Sequence, residues 1–344
     1  MVSRYSTILF IVNDLPVPAE PVKNKFSPLL TVSKASNYFS FILFLILFKI
    51  MSHFFKFKKM IYFYYYNIHK MDNITFNAKY PVVIIDNSYY IFYRYFATIS
   101  WYKRQENEII DHLNIMTNKE FIIAFFKHFE ADIKKLMKKF KTIRDNIIFC
   151  IDCPRLDIWR NDIYTKYKQS RVKKDNFNSD IFNLFEDYIN NNNYKNCKFD
   201  NLEADDVAYL LQYKLTVINH PNKIIIITND NDYLQMYSNN VKIYNMQLMD
   251  LSLKIKYNPN YELVYKIIMG DKSDNISKIQ NGMKKNIAEK IALMTDEERD
   301  NYLIKNNIMD AFNLNKTLID FREIPKSIIK NFYEYYNISI NYGG

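Results

Sequence analysis

The stretch Pro81-Val82-Val83-Ile84-Ile85-Asp86 (PVVIID) decides how the rest of the chain is read. After Pro81 come four β-branched residues without a polar break, and then an acid. So short and continuous an apolar run suits a strand covered on both faces, since a half-exposed strand would alternate apolar with polar residues. Asn146–Asp152 (NIIFCID) repeats the pattern and again ends on Asp. Lys223–Thr228 (KIIIIT) repeats it once more and is followed at once by Asn229-Asp230-Asn231-Asp232. Val241–Tyr244 reads as a fourth strand.

Between these runs the apolar spacing is helical. In Phe121–Phe140, the residues Phe121, Phe125, Phe129, Ile133 and Leu136/Met137 fall on one side, with lysines opposite. Ile181–Ile189 reads as a helix, and so does Ala204–Tyr213, whose start carries Glu203, Asp205 and Asp206 where the helix dipole favours anions. Strands alternating with helices predict an α/β fold with a mostly parallel central sheet and helices on both faces. Sites in such sheets form beyond the carboxyl ends of the strands, and three strands here each deliver an Asp at that end.

The 344 residues suffice for one large domain or two small ones, and 49% hydrophobic residues can build a core. Lys and Arg exceed Asp and Glu by ten, which favours a polyanionic partner. The 29 Tyr, 26 Phe and only 4 Gly look like coding bias from an AT-rich genome, so aromatic and Lys counts are discounted as functional signals. Three cysteines exclude a disulfide framework and point to a reducing, intracellular compartment. Cys150 and Cys153 form a C-x-x-C, but with Cys197 as the remaining thiol no zinc site is completed, and they read as ordinary small residues.

Residues 1–70 read differently. Phe41–Phe48 (FILFLILF) is apolar throughout and is followed by Lys49, Lys56, Lys58 and Lys59. It is shorter than the roughly 20 residues of a spanning helix. A marginal anchor, an internal signal-like segment and an upstream extension with no role in the chemistry all fit. The last is favoured, because Met71 opens MDNITFNAKYPVVIID about where a compact domain would begin, and a membrane-attached protein is the competing reading.

The acids collected along the chain are Asp86, Asp152, Glu203, Asp205, Asp206, Asp230, Asp232, Asp271 and Asp274. Singly, each has an ordinary explanation as a turn residue, helix cap or solvated face. Together, at one end of a sheet, they repel unless cations neutralise them. Hard divalent ions do so, and magnesium suits a few carboxylates plus water and phosphate. Two such ions can activate water and stabilise a phosphoryl displacement. The chain has only five His, none near these motifs, so no Ser/His/Asp or Cys/His arrangement competes.

These motifs resemble the 5′-3′ exonuclease and flap endonuclease family, from about residue 80 to 335. IIDNSYYIFYRYFA is similar to its first motif, IDCPRLDIWRNDIYTKYKQSR to its second, and LEADDVAYLL to its Glu-Ala-Asp-Asp helix start. ITNDNDYLQM resembles its Asp-x-Asp strand end, MGDKSDNI its Gly-Asp-x-Ser-Asp-Asn-Ile segment, and IDFREIP its C-terminal segment.

The resemblance implies a PIN-like 5′ nuclease core over residues 71–260, with a helical arch near 155–200. It implies a helix-hairpin-helix region over 261–344. Asp86, Asp152, Glu203 and Asp205 would serve a first Mg2+ and Asp230, Asp232 and Asp271 a second, with Asp206 and Asp274 supporting through water; Mn2+ could replace either. Lys168 and Arg171 would reach the scissile phosphate. Tyr93, Arg94, Arg160, Gly282, Lys284 and Lys285 would contact nucleic acid. The implied partner is DNA with 5′ ends or flaps, met by a monomer in replication or repair. RNA is the alternative substrate of the same fold, and a non-catalytic nucleic-acid-binding protein the alternative of another class.

Two departures stand out. Ile276–Ala288 (ISKIQNGMKKNIA) has one glycine, Gly282, where relatives have a glycine-rich turn, which weakens the case for amide contacts and a bound K+. Asn87 stands where relatives usually carry Gly, a tolerable swap because Asn also accepts a left-handed turn.

Overall fold

The computed structural model describes residues 72–106, 115–171 and 176–342. The segment Phe41–Phe48 and the rest of the expected extension lie outside the described residues. Strand β1 (Asp72–Asn77) precedes the opening run, which forms β2 (Val82–Asp86). With β3 (Ile147–Ile151), β4 (Lys195–Lys198), β5 (Ile224–Ile227) and β6 (Val241–Tyr244), β2 builds a five-stranded sheet in the order β4-β3-β2-β5-β6. Every pair in it is parallel.

Parallel neighbours need crossovers, and helices supply them. They are α1 (Asn87–Glu106) and α2 (Lys119–Phe140) between β2 and β3, α3 (Asp180–Asn191) before β4, and α4 (Ala204–Val217) before β5. Asn118 caps α2 by accepting from the Phe121 N–H at 2.9 Å. The strand residues divide between the two faces by the period of two. Val83, Ile85, Phe149 and Ile227 pack on α1, α2 and α3, while Val82, Ile84, Ile148 and Ile226 pack on α4 and the C-terminal segment. Each such buried side chain contributes about 1.5–3 kcal/mol relative to exposure. Burial on both faces is why these strands read as unbroken apolar runs.

A third core joins α5 (Pro259–Met269), α6 (Lys285–Ala292), α7 (Asp296–Lys305) and α8 (Met309–Ile319) through Ile267, Ile268, Ile291, Leu303 and Phe312. The chain then runs through α9 (Lys326–Tyr335) into β7 (Tyr336–Asn341), which pairs parallel with β1. Among the described residues no helix is long and apolar enough to cross a membrane.

Three features differ from the sequence expectations. The β1–β7 ladder was not anticipated, because DNITFN and YNISIN are short half-polar strands whose partners lie 264 residues apart; Thr75 and Ser339 share a hydrogen bond there at 2.9 Å. Residues 180–198 of the expected arch belong to the sheet layer instead, since Ile181, Phe185 and Ile189 are buried on it and β4 is its edge. Asn87 takes no left-handed turn: it opens α1 directly and is absent from the positive-φ residues.

Candidate metal centre and nucleic-acid interface

Successive connections leave the sheet in opposite directions at the β2–β5 pair, and that crevice is where α/β sheets bind ligands. Asp86 ends β2 there, and across the pair the Thr228 hydroxyl donates to Asp86 Oδ2 at 2.9 Å. The Tyr89 N–H, in the first turn of α1, donates to Asp86 Oδ1 at 3.0 Å. Asp152 follows β3, accepting from the Ser88 hydroxyl and from the Ala204 N–H at 2.9 Å, so it is tied to the starts of α1 and α4. Asp230 and Asp232 follow β5, with the Asp232 N–H on Asp230 Oδ1 at 2.9 Å. Asp271 and Asp274 bracket the turn after α5.

Two groups of carboxylate oxygens result. Glu203, Asp205 and Asp206 each present one within 4.8 Å of the others, and so do Asp232, Asp271 and Asp274. The charge is visible in the acidities. Burial, with the Asp152 charge adding to it, pushes Asp86 up to about 7. Burial and Asp230 push Asp232 up to about 6. Burial, Asp206 and Glu203 hold Asp205 well above the usual carboxylate range.

Four cations enter the same region. Lys168 is buried, held by Glu203 and 3.6 Å from Asp274, and its N–H donates to the Asp274 carbonyl at 3.0 Å. Arg171 is half-exposed and pairs with Asp274. Burial alone would raise Glu203, but Lys168 and Arg160 overcome it and lower the group. The fourth cation, Lys266 on α5, pairs with Asp232 and lies 2.7 Å from Asp271 Oδ2. Against the effect of burial, Lys266 brings Asp271 down to about 2.

Sequence reasoning missed Lys266, because a lysine five residues before Asp271 is one of many in this chain and only the packing of α5 aims it. Also missed was the Tyr167 hydroxyl, which lies between the two acidic groups, 2.8 Å from Glu203 Oε2 and 3.2 Å from Asp274 Oδ2, and can donate its one proton to either. Tyr233 lay unnoticed beside Asp232.

Arg160 and Asp206 take other places than expected. Arg160 is 1% exposed. Its guanidinium donates to Asp206 at 2.7 and 2.8 Å, to Glu203 Oε2 at 3.0 Å and to the Leu318 carbonyl at 2.8 Å. All its nitrogens are committed, so it clamps the start of α4 to α8 and is not open to nucleic acid. Asp206 also accepts from Trp159 Nε1 at 3.0 Å and from the Glu203 N–H at 3.2 Å. With four partners on two oxygens it is a structural anchor, although it lies within the acidic group. Arg94 is likewise corrected: it is buried against Asp132, which the Tyr90 hydroxyl also reaches at 3.0 Å, and this ties α1 to α2. Tyr93 is half-buried beneath that guanidinium, 5.2 Å from it.

Gly282, Lys284 and Lys285 are exposed in the turn into α6. Gly282 has φ +75, and a Cβ there would meet nothing within 4 Å.

The donor set fits a hard divalent cation, being oxygen only, rich in carboxylate and short of positive charge. The three cysteines are buried and free, and burial pushes the Cys153 thiol up to about 12, away from ligand chemistry.

Known proteins agree with this geometry. The family model described as "5′-3′ exonuclease, N-terminal resolvase-like domain" matches residues 81–262. A ribonuclease H of Enterobacteria phage T4 is 29% identical over 252 residues, covering 65% of this chain and 81% of the relative. A 5′-3′ exonuclease of Buchnera aphidicola (subspecies Acyrthosiphon pisum) is 29% identical over 203 residues, covering 57% of this chain and 64% of the relative. The bacteriophage T5 D15 flap endonuclease, solved as a pseudo-enzyme-product complex with DNA and metal ions, superposes with a TM-score of 0.50. At 15% identity, over 73% of this chain and 96% of that one, it supports the fold. Residues 81–262 hold seven of the nine acids and all the strands that deliver them, so the chain belongs to the 5′-3′ exonuclease family of nucleases.

Proposed function

We propose that this nuclease hydrolyses DNA phosphodiesters at 5′ ends and flaps with two Mg2+ ions, in replication or repair. The observation that carries the reading is two groups of three carboxylates, Glu203 with Asp205 and Asp206 and Asp232 with Asp271 and Asp274, beside the strand-end acids Asp86, Asp152 and Asp230 and against four cations. Asp86, Asp152, Glu203 and Asp205 would hold one ion, and Asp230, Asp232 and Asp271 the other, with Asp274 acting through water. Bound there, the ions would lower the pKa of the attacking water and stabilise charge on the phosphate oxygens, and Mn2+ could replace them.

The chain's own cations supply the rest. As the water oxygen bonds to phosphorus and the bond to the leaving oxygen breaks, negative charge grows on the phosphoryl oxygens, and Lys168 and Arg171 are the groups to meet it. Arg171, half-exposed on Asp274, can exchange that carboxylate for a phosphate; Lys168 must leave Glu203 to do the same. Arg160 holds Glu203 still during that exchange. Beyond the site, Gly282, Lys284 and Lys285 would meet a duplex backbone, with residues 71–260 as catalytic core and 261–344 as the nucleic-acid-binding region. A K+ ion is not part of this reading.

A second reading has RNA as the substrate, and the similarity to a phage ribonuclease H favours it. Phosphate contacts carry no sugar identity, so substrates must decide. The full chain is tested on 5′-labelled flap DNA, single-stranded RNA and an RNA–DNA hybrid, with Mg2+ or with chelator. Flap cleavage that needs Mg2+ and is lost in Asp230→Ala supports the first reading. Preference for either RNA substrate supports the second, and cleavage surviving chelator overturns both.

A further inference from the structure

Lys168 and Arg171 sit in a segment, residues 164–171, that forms no helix or strand after the short helix Arg160–Ile163. Its place is set by the turn after α5, residues 271–275, across a gap of 109 residues between Lys166 and Asn275. Hydrogen bonds to backbone carbonyls join the two. The Tyr164 hydroxyl donates to the Asn275 carbonyl at 3.1 Å, and Asn275 Nδ2 donates to the Lys166 carbonyl at 3.0 Å. The Lys168 N–H donates to the Asp274 carbonyl at 3.0 Å, and Arg171 Nε to the Ser273 carbonyl at 3.3 Å. Both sides are left-handed where they meet, Lys168 at φ +55 and Asn275 at φ +63. That region is open to asparagine but unfavourable for lysine, so Lys168 needs its neighbours to hold it there. Glycine would serve the turn at position 275 equally well, yet it has no donor for the Lys166 carbonyl.

We propose that Asn275 is a positioning residue for cleavage, latching the segment of Lys168 and Arg171 to the turn of Asp271 and Asp274 so that cations and acids keep one spacing. The proposal rests on the reading of Lys168 and Arg171 as the groups that meet the phosphate. The turn can carry that task because it is braced. Asp271 and Ile276 exchange both backbone bonds, at 2.9 and 2.8 Å, and Asp271 Oδ1 accepts from the Ser273 N–H at 2.7 Å. Asn275→Gly keeps the left-handed turn and removes only the amide, so the acids stay in place while the segment loosens. Lys168 then relaxes from its left-handed conformation, and its ammonium shifts from its place beside Glu203. Misplacing such a group by about 1 Å costs about a hundredfold in rate. Losing one hydrogen bond among several costs less, about three- to tenfold in kcat.

The test uses the full chain with Asn275→Gly and with Tyr164→Phe, which removes the other bond to Asn275 and keeps the ring. kcat and KM are measured on whichever of the flap DNA and RNA substrates the wild type cleaves in Mg2+. Mg2+ binding is followed by titration calorimetry, and backbone amide exchange in chelator by mass spectrometry. For Asn275→Gly the expected kcat is about three- to tenfold below wild type, with KM and Mg2+ affinity within about twofold. Exchange should quicken across residues 164–171 while β2 and β3 exchange as in wild type. Tyr164→Phe is expected to move kcat and that exchange in the same direction. Wild-type kcat in Asn275→Gly, or unchanged exchange across residues 164–171, overturns the proposal and leaves the cleavage reading standing. Weaker Mg2+ binding with faster exchange throughout the protein overturns it too, because that marks a purely structural loss. A wild type that cleaves neither DNA nor RNA in Mg2+ overturns the cleavage reading and the proposal with it.

Discussion

Gly270 offers the sharpest test of how the fold holds its second acidic group. It ends α5 with φ +65 and ψ −174, a region that is essentially glycine-only. A Cβ there would lie 2.4 Å from the carbonyl oxygens of both Ile276 and Ser277, and 2.6 Å from the Ser277 carbonyl carbon. These are backbone atoms, and they are tied. The Asp271 N–H donates to the Ile276 carbonyl at 2.9 Å, the Ile276 N–H returns to the Asp271 carbonyl at 2.8 Å, and Asn315 Nδ2 holds the Ser277 carbonyl at 2.8 Å. Gly270→Ala therefore carries a backbone cost of about 1–3 kcal/mol and an overpacking cost of about 1–3 kcal/mol. Reduced entropy of the unfolded chain returns about 0.4–1 kcal/mol. The net loss is about 1–5.6 kcal/mol, read as a lower urea midpoint at unchanged slope. Relief of the clash must move Asp271 or Ile276, so Mg2+-dependent cleavage should fall as well. Gly282→Ala is the internal control, because its φ is also positive at +75 but its Cβ meets nothing; only the backbone cost remains, about 1–2 kcal/mol. A Gly270→Ala variant no less stable than Gly282→Ala would refute the reasoning.

Arg160→Met should cost about 3–5 kcal/mol in urea unfolding, since it strands the buried Glu203 and Asp206 carboxylates; a loss under about 1 kcal/mol would show that the clamp is dispensable. Lys266→Met should destabilise the metal-free protein by about 1–2 kcal/mol, a value reduced because the pair is partly exposed, and Mg2+ should then raise its melting temperature more than in wild type. The reverse order of metal response would count against Lys266 as a counter-ion. The raised Asp86 and Asp232 set a pH dependence: the native protein keeps protons that the unfolded chain releases near pH 4, so their contribution to stability in chelator falls as pH rises from about 4 to about 7. Melting in chelator should therefore show a smaller pH slope in Asp86→Asn than in wild type over that window, and equal slopes would disprove the assignment.

Much of this protein was legible in its sequence because its sheet is buried on both faces. PVVIID, NIIFCID and KIIIIT cannot be surface, and the acid after each must sit at a strand's carboxyl end, so Asp86, Asp152 and Asp230 were placed by local pattern alone. The starts of α4 and of the turn after α5 were similarly legible as acids on helix and turn termini. Other features depended on partners distant in the chain. β1 and β7 are too short and polar to announce themselves singly, and each is a strand only because the other pairs with it. The pairing of charges was equally hidden. Arg160, Lys168, Arg171 and Lys266 look alike as basic residues in a lysine-rich chain, yet Arg160 is a buried clamp, Lys168 is buried between Glu203 and Asp274, Arg171 is half-exposed on Asp274, and Lys266 neutralises Asp232 and Asp271. Sequence determines which residues are apolar or acidic and with what period. Which carboxylate a given cation meets, and whether Asp206 is saturated while Asp205 is open, depends on side-chain positions within an ångström or two, and only the packed elements set those.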